Sequence, residues 1–215
     1  PLCLLTDEQG SFAMRAPLPG RYLLEYRAGQ LDPLASQVWD DIWAALASTD
    51  IAREQRMIRA DVFLFTRETD VSTERVLFEE RGLAPVLDER PFRTAPPAEL
   101  AQFGFWRRSA TGTIDLYAPD AATLISPEFL ASHCFSLVRA DSAATVRIGL
   151  AFRPMNTRAA ADVQGVLWVD AESRELRRLE YSYTGLQLRG PAAGGRMHFT
   201  RLAAGLMVDD DWIIH

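Results

Sequence analysis

From His133 to Ile214 the sequence holds six β-forming stretches separated by five brief connectors. The stretches are His133–Arg139, Thr145–Arg153, Val163–Asp170, Glu175–Thr184, Arg196–Leu202 and Leu206–Ile214. Their connectors include Ala140-Asp141-Ser142, Ala171-Glu172-Ser173 and Ala203-Ala204-Gly205. Parallel neighbours need a crossover of roughly a dozen residues or more, and these links, with the Pro154–Ala161 loop and Gly190–Gly195, are shorter. The second half of the chain must therefore zigzag as an antiparallel meander.

A sheet with one apolar face needs a cover, and the sequence offers one upstream. Asp32 is placed as an N-cap with Pro33 at the first helical position, where the missing amide costs nothing. Leu34, Val38, Ile42, Ala45 and Leu46 then recur at helical spacing, bordered by Trp39 and Trp43. Thr49-Asp50 predicts a stop or recap, with a second short helix from Ile51 towards Arg56. Met57 to Glu68 switches to period two, with Ile58, Ala60, Val62 and Leu64 opposite Arg59, Asp61, Phe63 and Phe65. Ser72 to Glu80 is its expected partner across the Glu68-Thr69-Asp70 turn. Pro91–Thr94 reads as a short edge strand, Pro96–Leu100 as a helical turn and Thr113–Ala118 as a strand. Ser126-Pro127-Glu128 is a helix start with cap, proline and acid in order. The expected fold class is mainly β (α+β): a curved, half-barrel-like antiparallel sheet packed on the 33–48 helix.

Composition narrows the chemistry. The 215 residues are 48% hydrophobic and 24% charged, values of an ordinary globular chain. All 23 basic residues are Arg, a usage expected of a high-GC bacterial genome. Without Lys there is no Schiff base, no phosphate-loop lysine and no Ser–Lys dyad. The net charge of −6 argues against a nucleic-acid partner, which needs a basic stripe. Arg107-Arg108 and Arg177-Arg178 read as solvated side chains at strand edges. The longest charge-free stretch, Phe129 to Val138, is too short for a membrane-spanning helix.

Reactive groups form no motif. The three histidines are His133, His198 and His215, and neither H-E-x-x-H, C-x-x-C, G-x-S-x-G nor G-x-G-x-x-G occurs. His133 and Cys134 are strand neighbours and point to opposite faces, which is poor geometry for chelation. Cys134 is expected as a buried thiol, although a pair with Cys3 stays open. Asp209-Asp210-Asp211 lacks the alternation and distal Glu of a calcium loop and reads as a solvated turn or a charge-protected strand edge. Neither Glu79-Glu80 nor Asp40-Asp41 is marked out as an acid–base pair. No catalytic residue, metal or cofactor is expected, and an unrecognised hydrolase is the third reading after two non-catalytic ones.

Aromatic side chains spread over nearly every strand supply those two readings. In the first they fill a core, leaving an interaction module. In the second the sheet's concavity holds a lipid or other apolar ligand, lined by Phe63, Phe65, Phe152, Trp168, Tyr181, Tyr183 and Phe199, in a cavity of roughly 300 Å³ or more.

Two resemblances place the chain. T-D-E-Q-G-S-F (6–12) and L-P-G-R-Y (18–22) resemble the closing strands of a carboxypeptidase regulatory-like domain, a transthyretin-like β-sandwich without peptidase chemistry. This predicts a partial sandwich over residues 1–30, from a truncated chain or a stub, before a helix-plus-sheet domain over 31–215. Y-A-P-D-A (117–121), L-I-S-P-E-F-L-A-S-H-C-F (124–135), I-G-L-A-F-R-P (148–154), D-V-Q-G-V-L-W-V-D (162–170), E-L-R-R-L-E-Y-S-Y-T (175–184) and G-G-R-M-H-F-T-R-L (194–202) extend the likeness. Together they resemble bacterial proteins that contain that domain, a group from which no site residue carries over. The helix-first layout and the Gly165–Leu176 hairpin also resemble the periplasmic lipoprotein carriers. Both likenesses imply a periplasmic or outer-membrane-associated envelope protein, with a lipid or an envelope protein as partner.

Overall fold

A computed structural model describes residues 33–57, 60–69, 75–86, 92–108, 110, 114–141, 146–155, 161–186, 193–203, 205 and 207–214. The expected sandwich stub, the Asp32 cap, Cys3 and His215 lie outside these residues.

Helix α1 (Pro33–Glu54) comes first, and strands β1 (Ala60–Thr69) and β2 (Val76–Val86) follow. Next are α2 (Pro97–Phe103), β3 (Trp106–Arg108), β4 (Ile114–Leu116), α3 (Ala121–Leu124) and α4 (Pro127–Ser132). Strands β5 (His133–Asp141), β6 (Val146–Pro154), β7 (Asp162–Asp170), β8 (Leu176–Thr184), β9 (Gly194–Arg201) and β10 (Met207–Ile214) complete the chain. They form one open, wholly antiparallel sheet in the order β10-β9-β8-β7-β6-β5. The fold is mainly β, and the meander is the one that the short connectors demand.

One sheet face is covered by α1, which packs on β6, β7, β8 and β10. Val38, Ile42 and Leu46 are fully buried there, each contributing about 1.5–3 kcal/mol. They meet Leu150 and Phe152 of β6, Leu167 and Val169 of β7, and Leu179 and Met197 of β8 and β9 in one continuous core. Alternation sends Gln164, Trp168, Glu180 and Arg196 to the opposite face.

Several local expectations change. α1 does not stop at Thr49: that side chain is buried and its hydroxyl bonds to Ala45 O at 3.0 Å and Met207 O at 3.1 Å. A residue that reads as a cap is thus a satisfied polar contact between helix and sheet, and the helix runs on to Glu54. Residues 92–95 form no strand; Phe92 and Ala95 are anchored in the core instead. β3 and α3 have no counterpart among the elements expected from sequence. α3 starts at Asp120, whose carboxylate accepts from Thr123 N at 2.9 Å. α4 begins at the expected place, with Ser126 Oγ accepting from Phe129 N at 3.2 Å. β1 and β2 pair with each other and with no other strand among the described residues.

Candidate docking surface

The β1–β2 ribbon is an arm built from β-forming residues on both strands. Its register sets Phe63 opposite Leu83, Phe65 opposite Arg81, and Arg67 opposite Glu79. Cross-strand partners share a face, and alternate residues share it too. Asp61, Phe63, Phe65 and Arg67 therefore lie on one side with Leu83, Arg81 and Glu79, while Leu64, Thr66, Glu68, Phe78, Glu80 and Gly82 lie on the other.

Every arm side chain the structure describes is exposed, large apolar ones included. Phe63 is 63% exposed, Leu83 70% and Phe65 46%. Leu64, Val76, Leu77 and Phe78 are exposed as well. Scattered apolar residues on a surface are ordinary, but a contiguous patch of this kind marks an interaction site.

The sequence held a signal for this that alternation alone misses. Val62-Phe63-Leu64-Phe65 and Val76-Leu77-Phe78 are unbroken apolar runs. Such runs belong to strands covered on both faces, whereas a half-buried strand alternates. The arm carries the pattern of a doubly covered strand, with neither face covered among its described side chains.

An ion cluster closes one end of the first face. Glu79 Oε2 accepts from Arg67 Nε at 3.2 Å and Nη2 at 2.9 Å; Oε1 accepts from Arg81 Nε at 3.0 Å and Nη2 at 2.7 Å. Hydrogen bonds from Arg67 and then Arg81 hold the Glu79 carboxyl below its ordinary range. Both guanidiniums also lie over the Phe65 ring, 4.9 and 5.1 Å from its centroid. The cluster thus fixes the long side chains that border the apolar patch.

The seven residues expected to line a ligand cavity fall in three places. Phe63 and Phe65 are on the arm. Phe152, Tyr181, Tyr183 and Phe199 are in the sheet–helix core, 2–7% exposed. Trp168 is on the far side of the sheet, where its indole N–H donates to Glu180 Oε2 at 2.9 Å. Glu180 also pairs with Arg178 at 3.1 Å, so that face carries a polar network around a half-buried ring. Within the core, Tyr183 donates to Tyr117 O at 3.1 Å, and burial pushes its hydroxyl up to about 12. Burial raises Tyr181 further still. A pocket beside Thr49, Asp120, Met197 and Phe199 has a volume of about 10 Å³, the space of a single water.

Other candidates resolve into structure. His133 is buried and stacks on Phe129 with centroids 3.8 Å apart. Its Nδ1 lies 3.0 Å from Ser132 Oγ and 3.1 Å from Phe129 O, and its Nε2 lies 3.1 Å from Val163 O and 3.2 Å from Asp162 Oδ1. Those contacts tie the end of α4 to the start of β7. Arg107 is not the solvated side chain expected: half-buried, it pairs with Glu99 at 2.8 Å and lies over Tyr117, 4.6 Å from the centroid. Asp210 and Asp211 are exposed on β10, an edge strand, and Asp210 accepts from Thr200 Oγ1 at 2.7 Å, in keeping with charge protecting an edge. Cys134 is buried, and its pairing with Cys3 falls outside the described residues. Among the described residues no group of His, Cys, Asp and Glu has the arrangement of a metal site, and no helix is long and apolar enough to cross a membrane.

No protein-family model matches the chain, and neither a curated protein nor a solved structure matches it.

Proposed function

We propose that the chain is a non-catalytic docking module of the bacterial cell envelope. The helix-backed sheet is its scaffold, and the β1–β2 arm is the element that engages a partner. One observation carries this reading: Phe63 and Leu83, paired across a hydrogen-bonded ribbon, are both more than half exposed. An isolated two-stranded ribbon is marginal in water, and apolar side chains on both faces make it more so. A partner that covers them gives the arm both its stability and its purpose. The envelope setting comes from the resemblance of 6–22 and 117–202 to proteins with a carboxypeptidase regulatory-like domain.

The filled core favours docking over carriage of a lipid inside the sheet. Phe152, Tyr181 and Phe199 occupy the space that an acyl chain would need, and Val38, Ile42 and Leu46 pack against the same core.

Two measurements test the proposal. Native mass spectrometry of the purified protein is expected to give chains without bound lipid. Fluorescence of anilinonaphthalene sulfonate, a probe of exposed apolar surface, is expected to fall in a Phe63→Ser, Phe65→Ser, Leu83→Ser variant whose melting temperature is unchanged. One lipid per chain, retained by wild type and variant alike, would replace docking by carriage.

A further inference from the structure

We infer that the arm's occupant is a second copy of this chain, packed face to face on the Phe63 side about a two-fold axis. The inference rests on the docking reading and adds the identity of the partner.

The first argument is the order of groups along the face. Reading along β1, it carries Asp61, then Phe63, then Phe65, then Arg67. Asp61 is exposed and has no ion pair among the described residues. At the other end Arg67 and Arg81 share the single carboxylate of Glu79, which leaves that end with one net positive charge. The face is thus negative, apolar, apolar, positive. Turned end for end, the same series is its own complement: Asp61 of one copy meets Arg67 of the second, and Phe63 meets Phe65. In a two-fold interface residue i meets j and j meets i, so both contacts occur twice. Six residues of strand separate Asp61 from Arg67, about 20 Å at the strand rise, with the two rings centred between them.

The second argument is area. Phe63, Phe65 and Leu83, at 63%, 46% and 70% exposure, present roughly 350 Å² of apolar side chain, taking about 200 Å² for each. A stable interface of standard size buries roughly 800 Å² per partner, somewhat over half of it apolar. One face of the arm supplies most of that apolar share, and Asp61, Arg67, Glu79 and Arg81 supply its rim.

A membrane surface fits less well. Elements that lie in a bilayer interface border their apolar face with cations. Here two carboxylates, Asp61 and Glu79, offset the two arginines that border the aromatic patch, so its rim carries no excess of cations.

Sedimentation velocity of the full chain, over about 1–200 µM, tests the inference. Wild type is expected to pass from monomer to dimer in this range. Phe63→Ser with Leu83→Ser should weaken association at least tenfold, the loss of about 1.4 kcal/mol or more. Asp61→Arg and Arg67→Asp should each weaken it about as much, because each sets like charges together twice. Mixed in equal amounts, those two variants should recover the dimer. In the mixed pair the introduced arginine of one copy faces the introduced aspartate of the other, and the native Asp61 faces the native Arg67. A wild type that stays monomeric at every concentration overturns the second copy as partner, and so does a mixture that fails to recover. If arm-dependent probe fluorescence persists in a monomeric wild type, docking survives and only the identity of the partner falls.

Discussion

Tyr183 lies on the core face of β8 with its hydroxyl donating to Tyr117 O, and the surrounding core disfavours its anion. The folded chain keeps this phenol neutral until about pH 12, whereas an unfolded chain loses the proton near the ordinary value of 10.0. The unfolded state therefore binds fewer protons between those values, and stability falls as pH rises through them. The contribution is complete below pH 10 and amounts to roughly 2–3 kcal/mol. Melting temperatures from about pH 8 to pH 12 should decline steeply over the upper half of that range. Tyr183→Phe should make the decline shallower, Tyr181 keeping its own share, while costing about 1 kcal/mol at neutral pH because the Tyr117 carbonyl loses its donor. Gly195 gives a second test. A Cβ there would sit 2.6 Å from Cζ of Tyr181, inside contact distance, so Gly195→Ala is expected to destabilise by about 1–3 kcal/mol in urea titration. How readable these residues are varies with the range of their interactions. Ser126 as a cap is legible because its partner is three residues away. Tyr181 and Tyr183 are legible as inward-facing aromatics but leave two readings, filled core or ligand lining, because alternation assigns them to a face without saying what fills the space in front of it.

At the level of elements, α1 and the arm make opposite demands. Ile42 is fully buried at the middle of the helix, and Trp43 beside it is about half exposed. Ile42→Ala is expected to cost about 2–5 kcal/mol by chemical denaturation, a cavity penalty. Trp43→Ala should cost far less. On the arm, Glu79 is held below the ordinary carboxylate range by Arg67 and Arg81. A lowered acid contributes fully above its unfolded value and is lost as pH falls through the folded one. Nitrogen chemical shifts of the Arg67 and Arg81 guanidiniums should therefore hold steady through mild acid and move only below the ordinary range, a transition that Glu79→Gln abolishes. The limits of α1 misled for a definite reason. Thr49-Asp50 has the composition of a stop, yet the Thr49 hydroxyl is satisfied by Ala45 and by Met207 of a strand that begins 158 residues later. No local pattern encodes such a partner.

For the molecule as a whole, body and arm are separable in energetic terms. Among the described residues, no side chain of the arm belongs to the continuous core. Replacing residues 60–86 by a short glycine–serine loop is thus expected to leave the melting temperature within a few degrees of wild type. A collapse of cooperative unfolding in that variant would instead give the arm a part in the body's stability. The six-strand order was legible because turn length and period-two alternation are both local and left one arrangement open. The isolation of β1 and β2 was not, since an apolar strand looks the same in sequence whether its cover comes from its own chain or from elsewhere.

The described residues before and after the arm in the chain both include members of the core. Before it in sequence stands α1, whose buried stripe packs in the core, and after it stands Phe92, itself buried against Trp212 with ring centroids 6.0 Å apart. Any load that a partner places on the arm therefore passes along the chain, on both sides, to residues seated in the core.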